Sequence, residues 1–274
     1  KRQLMMGAAA LIAGLLTRSL VQPILKMTDD LEHIQENVPY RELIPFAESI
    51  HSDRLLRENN EKMRQDFTAN VSHELKTPLT SISGYAELIE TGIAKPADVP
   101  EFGRKIHVEA SRMIQLVNDI LQLSHLDSVS ETHAQPDMET VDLLDVAKDC
   151  VERQKLNAQR SFISLTYLGE SARVLGNRDQ LDELCQNLCD NAIRYNRPGG
   201  KVQLITSCTR DGHCTLTVKD NGIGIPKDAQ SSVFERFYRV DKSRSKATGG
   251  TGLGLAIVKH IARIHNARIK LESQ

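Results

Sequence analysis

The sequence contains no tryptophan, few other aromatic residues and no excess of charge of either sign. Its 35 lysine and arginine residues are offset by 36 aspartate and glutamate residues, so the net charge at neutral pH is -1. A chain without a basic field is not expected to bind nucleic acid. The 274 residues, 40% of them apolar, suffice for one large or two modest domains and are typical of a helix-rich soluble protein.

Cysteine motifs of the zinc and redox types are also missing. The five cysteines include no C-x-x-C pair, and Cys185 and Cys189, four residues apart on a predicted helix, have no neighbouring histidine. We therefore expect reduced core thiols in a cytosolic compartment rather than zinc ligands or disulfides. This prediction covers Cys150, Cys185, Cys189, Cys208 and Cys214.

An apolar run of full membrane-spanning length is absent near the start. The run from Leu4 to Leu16 has 13 residues, whereas a transmembrane helix needs about 20. It is compatible with a buried helix or, behind Lys1 and Arg2, with the apolar region of a signal peptide. We favour the cytoplasmic end of a truncated transmembrane helix over residues 1–17, because Arg18 follows on the side that a positive charge favours. This predicts attachment to the cell membrane, with the following domains in the cytoplasm.

Residues 18–57 are predicted to connect this run to the rest of the chain. Apolar residues recur there at helical spacing, and Pro23 stands near the start. The apolar positions are Leu20, Ile24, Met27, Leu31 and Ile34. This pattern resembles the first helix of a HAMP relay module, but residues 38–62 lack the acidic-glycine signature of such modules. A HAMP module and a plain helical linker are therefore equal alternatives.

The sequence does contain a conspicuous polar segment, FTANVSHELKTP, inside a long apolar-periodic stretch. Apolar residues spaced three and four apart predict an amphipathic helix that packs on partner helices. They are Met63, Phe67, Val71, Leu75, Leu79, Ile82, Ala86 and Ile89. His73 points away from this stripe, beside the Glu74 carboxylate, which is able to orient the imidazole and accept its proton during nucleophilic attack. Thr77 lies one turn further on, and Pro78 is expected to kink the helix.

Two long helices are predicted around this segment. The first covers residues 58–92, where Thr91-Gly92 supplies a stop signal, and the second covers residues 101–126. The apolar face of the second helix comprises Phe102, Ile106, Ala110, Met113, Val117, Ile120 and Leu121. One helical hairpin cannot cover both of its apolar faces, so we predict a homodimer in which two hairpins form a four-helix bundle. A plain coiled coil without chemistry is the alternative.

Residues 129–140 are polar and aperiodic and predict a domain boundary. Beyond them helical and alternating patterns are mixed, which predicts an α/β sandwich with one helical layer on a sheet. The expected helices are 142–157 and 177–195, the latter capped by Asn177, and a third from Ala256 to His265. The expected strands are 162–168, 173–175, 201–208 and 213–219, with the last two joined through Arg210-Asp211-Gly212.

Two polar blocks lie in this half. Asn187 and Asn191 share one helix face, followed by Arg194 and Tyr195, and an amide oxygen is a suitable hard ligand for Mg²⁺. The second block, Asp220-Asn221-Gly222-Ile223-Gly224, directly follows a predicted strand. A carboxylate there is able to accept a hydrogen bond from the exocyclic amine of adenine, while the glycines permit close backbone approach.

Two further blocks follow. FERFYR, residues 234–239, precedes a polar stretch and suits a lid over a nucleotide, with Arg239 or Arg236 placed for a γ-phosphate. GGTGLGL, residues 249–255, precedes an apolar helix, so its backbone amides form an anion site for phosphates. It is neither a P-loop nor a dinucleotide motif, since no G-K-[ST] follows it and no strand immediately precedes it.

Together these segments resemble a known family. FTANVSHELKTP resembles the phosphoacceptor box of sensor histidine kinases of two-component systems, in particular the phosphate-sensor-like membrane kinases. The four later blocks are similar to the N, DxGxG, F and GxGxG boxes of the Bergerat-type (GHKL) ATP-binding fold. The resemblance covers roughly residues 60–274. It implies a dimerisation and phosphotransfer domain over 58–128 and a catalytic ATP-binding domain over 141–274.

The resemblance also implies roles for individual residues. His73 would be phosphorylated from Mg-ATP with Glu74 as base, and Thr77 would position water when the enzyme dephosphorylates a response regulator. The phosphoryl group would pass from His73 to an aspartate of that regulator. Asn191 would ligate Mg²⁺ and Asp220 would read adenine. The remaining residues that would bind nucleotide are Asn187, Arg194, Tyr195, Gly222, Gly224, Arg239, Gly250, Gly252, Leu253 and Gly254.

The sequence departs from the family pattern at two places, and two other classes of protein remain as alternatives. Arg194 replaces the lysine that the family often has, and the chain stops at Gln274, before the glycine-rich hairpin and last strand that the family usually has. A gyrase- or chaperone-like ATPase would share the nucleotide fold but would turn over ATP without forming phosphoprotein. A silent dimeric scaffold would bind a regulator but no ATP.

Overall fold

The computed structural model describes residues 2–22, 40–132, 137–240 and 250–273. These residues belong to two compact units, residues 1–72 and residues 73–274, with the boundary inside one long helix. In the first unit, helix α1 (Arg2–Leu16) continues into a short π-helical turn (Thr17–Val21), and a 3-10 turn (Arg41–Leu43) precedes helix α2 (Ile44–Glu90). Most of the predicted connecting helix lies outside the described residues, so neither alternative for it is tested.

No described helix combines the length with the apolarity that crossing a bilayer requires. Helix α1 is apolar, and its described side chains are exposed. Near the start of α2, a small apolar cluster forms around the buried Ala47, with Leu43 and Ile50 packed against it.

The second unit begins with the rest of α2 and a helical hairpin. Helix α2 starts earlier than predicted, continues past Pro78 and ends at Glu90, where the Ala94 amide donates to the Leu88 carbonyl at 2.9 Å. Helix α3 (Val99–Thr132) returns alongside it, and the rings of Tyr85 and Phe102 stand 5.3 Å apart near the turn. The predicted hairpin is therefore confirmed.

The remainder of the second unit is an α/β sandwich. Its elements are β1 (Glu139–Asp142), α4 (Leu143–Arg160), β2 (Ser164–Gly169), β3 (Arg173–Gly176), α5 (Arg178–Arg194), β4 (Lys201–Cys208), β5 (Cys214–Asp220) and α6 (Gly254–Ile264). Strands β2, β4 and β5 form one sheet in the order β2-β4-β5, with β2 parallel and β5 antiparallel to β4, while β1 and β3 form a separate antiparallel pair. The predicted fold class is confirmed. Strand β1 was not predicted, because it lies in the segment taken as a domain boundary, and the ends of the other elements differ from the predictions by a few residues.

Side-chain caps explain where two of these helices start. The Asp142 carboxylate accepts from the Leu144 amide at 3.0 Å, and the Asn177 side chain accepts from the Gln180 amide at 3.0 Å. Each bond satisfies an amide that the helix itself leaves without a partner. The Asn177 cap is the one that the sequence predicted.

The core of the sandwich lies between the helices and the sheet. Fully buried apolar side chains from α4, α5 and β4 fill it, including Val146, Cys150, Cys185, Val202 and Leu204. The expectation that every cysteine is a reduced core thiol is wrong for two of them, because Cys208 and Cys214 form a disulfide. The register of the β4–β5 hairpin sets these residues directly opposite each other, with Cα atoms 4.1 Å apart. Cys150, Cys185 and Cys189 are free and buried, as expected.

Candidate active site

The predicted phosphoacceptor segment lies on α2 at the beginning of the second unit. His73 is exposed, whereas Pro78 is fully buried. The Thr77 hydroxyl donates to the His73 carbonyl at 3.3 Å, which ties the two residues to one turn of the helix. The imidazole is therefore open to a reactant that approaches from outside the hairpin, as the sequence predicted.

Glu74, the neighbour of His73, is held by two arginines. Arg112 on α3 donates through Nη2 to Glu74 Oε2 at 3.3 Å, and Arg239 Nη1 lies 3.8 Å from the same oxygen. The Arg239 side chain is 7% exposed and that of Arg112 is 15% exposed. Little water screens either pair, so both interactions are stronger than those of surface pairs.

Arg239 has donor groups to spare. Among the described residues, nothing accepts a hydrogen bond from its buried Nε and Nη2 atoms. Burial lowers the pKa of the Arg239 guanidinium, and the Glu74 carboxylate opposes that shift. A buried cation with unused donors is a favourable place for an anion such as a phosphoryl group.

Arg236, the other arginine considered for this role, is engaged elsewhere. Its Nη2 atom donates to both carboxylate oxygens of Asp127 on α3, at 2.8 and 2.9 Å. His260 Nε2 on α6 hydrogen-bonds to the Leu126 carbonyl at 2.9 Å in the same region. Of the two candidates, Arg239 is therefore the one beside Glu74.

The glycine-rich loop lies directly against the two-asparagine helix, α5. A Cβ on Gly254 would lie 2.8 Å from Asn187 Oδ1 and 3.7 Å from Asn191 Nδ2. A Cβ on Gly250 would lie 3.0 Å from Arg194 Nη1 and 3.2 Å from Tyr195 Oη. Three residues of α5 and its C-cap, Tyr195, therefore lie against the loop that is predicted to bind phosphates.

Gly252 and Leu253 complete that loop. Gly252 has a φ of +75°, its carbonyl accepts from the Phe237 amide at 2.9 Å, and Leu253 is fully buried. Only glycine adopts this φ without strain. The loop is therefore fixed on one side by the FERFYR segment. Most of the predicted lid, residues 241–249, lies outside the described residues.

Asp220 and its glycines form a tight turn after β5. The Gly222 amide donates to Asp220 Oδ1 at 2.8 Å, and a Cβ on Gly222 would lie 2.5 Å from the Tyr195 carbonyl oxygen. No larger residue fits there without movement of the backbone. Asp220 is exposed and Gly224 has a φ of +72°, so the turn presents a carboxylate beside bare backbone, as an adenine site requires.

The sequence interpretation missed a buried contact between α3 and the glycine-rich loop. Thr251 donates to Asp119 Oδ2 at 2.6 Å, and Gln115 donates to Asp119 Oδ1 at 2.7 Å. Burial raises the pKa of Asp119, while these two bonds oppose the shift. A local signal exists, because Asp119 lies at helical spacing between the buried Leu116 and Leu123.

Arg112 was missed as well, and no local signal identifies it. Its partner Glu74 lies 38 residues earlier in the chain. Glu183 on α5 is a third omission. Burial and the nearby charge of Asp119 raise the pKa of Glu183 to about 7.

The residues present fit a nucleoside triphosphate and a hard cation. The glycine-rich loop leaves no room for side chains, and Arg239 offers unpartnered buried donors. Within the described ranges, no group of three or more His, Cys, Asp or Glu side chains is placed to hold a metal ion. Amide oxygens, which Asn187 and Asn191 carry, are ligands that Mg²⁺ takes beside phosphate and water oxygens.

Comparison with known proteins agrees with this geometry. Residues 63–129 match the His Kinase A (phospho-acceptor) domain, and residues 176–274 match the histidine kinase-, DNA gyrase B- and HSP90-like ATPase family. The chain is 43% identical over 230 residues to the sensor-like histidine kinase SenX3 of Mycolicibacterium smegmatis. That alignment covers 84% of this chain and 59% of SenX3, so the chain spans little more than half of this curated relative.

Solved structures of histidine kinases are similar too. The Acinetobacter baumannii histidine kinase AdeS gives a TM-score of 0.55 at 24% identity, covering 70% of this chain and 86% of AdeS. Full-length ShkA in complex with AMPPNP gives a TM-score of 0.50 at 26% identity, covering 73% of this chain and 41% of ShkA. The phosphoacceptor and ATPase matches, in this order and with a relative of such identity, show that the chain belongs to the sensor histidine kinases.

Proposed function

We propose that this chain phosphorylates its own His73 from ATP and passes the phosphoryl group to an aspartate of a response regulator. The observation that carries the proposal is the position of Arg239, a buried guanidinium with unused donors, beside the neighbour of an exposed histidine. The family membership and the glycine-rich loop against Asn187 and Asn191 support it.

In the first half-reaction, a neutral imidazole nitrogen of His73 attacks the γ-phosphorus of ATP. The new N–P bond forms as the bond to the β,γ-bridging oxygen breaks, and that oxygen leaves with its electron pair as ADP. Glu74 accepts the proton that the imidazole loses. Donors of Arg239 stabilise the negative charge on the transferring group.

The nucleotide itself is held by the remaining site residues. Asp220 accepts from the adenine amine at the turn made by Gly222 and Gly224. Backbone amides of Gly250, Gly252, Leu253 and Gly254, with Arg194 and Tyr195, surround the phosphates. Asn191, with Asn187 one turn before it, would hold Mg²⁺, which when bound neutralises charge on the phosphate oxygens.

In the second half-reaction the regulator's aspartate attacks the phosphorus of phosphohistidine, and the imidazole leaves. Thr77 is exposed one turn from His73. It would position water for the phosphatase reaction, in which the acyl phosphate of the regulator is hydrolysed. Replacing Thr77 with alanine should therefore spare autophosphorylation and abolish the phosphatase activity.

The proposal extends to organisation. Residues 58–128 serve as the dimerisation and phosphotransfer domain and 141–274 as the catalytic domain. The predicted linker, 129–140, is shorter than expected, because α3 continues to Thr132 and β1 begins at Glu139. Apolar side chains left exposed on the hairpin, such as Ile114 and Leu121, support a homodimer. The apolar run of α1 followed by Arg18 supports attachment to the cell membrane at the N-terminal end, with signal passing through residues 18–57 to the cytoplasmic kinase.

Labelling with γ-phosphate-tagged ATP tests the activity. Wild type, His73→Gln and a matched control, His107→Gln, which changes an exposed histidine on α3, are incubated with Mg²⁺ and then treated with acid or alkali. We expect an acid-labile, base-stable label on wild type and the control and none on His73→Gln. ATP turnover without phosphoprotein would instead indicate a gyrase-like ATPase, and a label that survives His73→Gln would refute the assignment.

A further inference from the structure

One oxygen of Glu74 receives two guanidinium groups that come from different parts of the fold. Arg112 belongs to α3, which pairs with α2 in the helical hairpin, whereas Arg239 belongs to the catalytic sandwich. Both address Oε2, and no described residue donates to Oε1. The second oxygen therefore has no described donor and is available to accept a proton.

The two arginines differ in what holds them. Arg112 and Glu74 lie on the two helices of one hairpin and are within hydrogen-bond distance, at 3.3 Å. Arg239 is further from Glu74, at 3.8 Å, and keeps two buried donors without described partners. Besides burial, the nearby positive charges of Arg112 and Arg194 lower the pKa of Arg239. A phosphoryl group carries more negative charge than one carboxylate, so the two unpartnered donors of Arg239 are suited to bind it.

We propose that Arg112 is a positioning residue of the kinase reaction. It keeps the Glu74 carboxylate paired and oriented toward His73 when Arg239 turns its donors to the transferring phosphoryl group. Without Arg112, Glu74 would follow Arg239 or turn to water, and the base would no longer stand beside the imidazole. This inference rests on the proposed function, since it assigns a task within that reaction.

Initial rates of autophosphorylation against ATP concentration test the proposal on the full 274-residue chain. General-base catalysis contributes about 100-fold or more to a rate, so a misplaced base should cost a large part of that factor. We expect Arg112→Ala to lower kcat by about tenfold or more and to leave KM for ATP within about twofold. Arg112→Lys should recover part of the rate, because it restores the charge without the planar fork.

A double substitution separates positioning from a structural role. In the Glu74→Gln background, Arg112→Ala should have no further effect on kcat, because residues that act through one another are not additive. Arg104→Ala is the matched control, since Arg104 lies on the same helix in an exposed pair with Glu101. Thermal unfolding of every variant shows whether the chain is still folded.

The outcomes are distinct. A full effect of Arg112→Ala in the Glu74→Gln background, or a raised KM with unchanged kcat, would overturn this inference while the kinase assignment stands. A wild-type chain that takes no label would overturn the proposed function and this inference with it. Loss of rate in Arg104→Ala equal to that in Arg112→Ala would show that the helix, not the Glu74 contact, is responsible.

Discussion

At the scale of single residues, Glu183 shows how the site departs from an ordinary surface. Its Oε1 atom is buried without a described partner, and burial together with Asp119 raises its pKa to about 7. In an unfolded chain the same carboxyl group titrates near the usual glutamate value. The folded state therefore binds more protons than the unfolded state between that value and about pH 7, and stability falls as pH rises through this window.

Replacing Glu183 with glutamine should remove that loss. We expect the midpoint of thermal unfolding to be a few degrees higher than in wild type at pH 8, and the difference to disappear below the ordinary glutamate pKa. Unfolding scans between pH 4 and pH 8 measure it. Glu152→Gln, at an exposed position on α4, should leave the wild-type pH dependence unchanged, and parallel curves for wild type and Glu183→Gln would contradict the argument.

At the scale of elements, α3 has two apolar faces, of which the structure covers one. Leu116, Leu123 and Leu126 are buried, and α3 contacts α6 of the sandwich. Ile114 and Leu121, by contrast, are each 63% exposed. Periodicity predicted the apolar face that ends at Leu121 but not the buried face. Apolar residues recur at helical spacing on both faces, and only the folded chain shows which face contacts the sandwich.

The exposed face should hold a second copy of the chain. An unpaired carboxylate in an apolar interface costs about 3 kcal/mol or more, so Leu121→Glu should weaken the dimer about 100-fold. Sedimentation over a range of concentrations measures this. Gln159→Glu adds the same charge at an exposed polar position of α4, outside the hairpin, and should leave the dimer intact. A dimer that survives Leu121→Glu would place the interface elsewhere.

At the scale of the whole molecule, the sequence revealed local features and missed most long-range ones. Three features could be predicted because each depends on residues a few positions apart. They are the Asn177 cap, the β4–β5 hairpin and the glycine turn after Asp220. Thr251 and Asp119 are 132 residues apart, and neither residue type indicates the other. The disulfide was missed for a different reason. The predicted β4–β5 hairpin allowed Cys208 and Cys214 to face each other, but we expected reduced thiols because we assumed a cytosolic compartment.

The bond between Asp119 and Thr251 has an effect on nucleotide binding that is testable. The carboxylate of Asp119 lies beside the loop proposed to bind phosphates, so it repels them and also restrains the loop. Asp119→Ala should tighten binding of a non-hydrolysable ATP analogue about fivefold or more. Asp119→Asn, which keeps an acceptor for Thr251, should give a smaller gain. Calorimetric titration measures both, and weaker binding in Asp119→Ala would show that the contact supports the loop.

Thermodynamic linkage makes this contact work in both directions. If nucleotide binds better once the loop leaves α3, then bound nucleotide must favour release of the loop from α3 by the same factor. A signal that turns or shifts α3 would then change ATP affinity without touching the nucleotide. The hydroxyl of Thr251 would then couple the position of the helices to ATP affinity. Bound nucleotide would in turn change the position of the helices through the same hydroxyl.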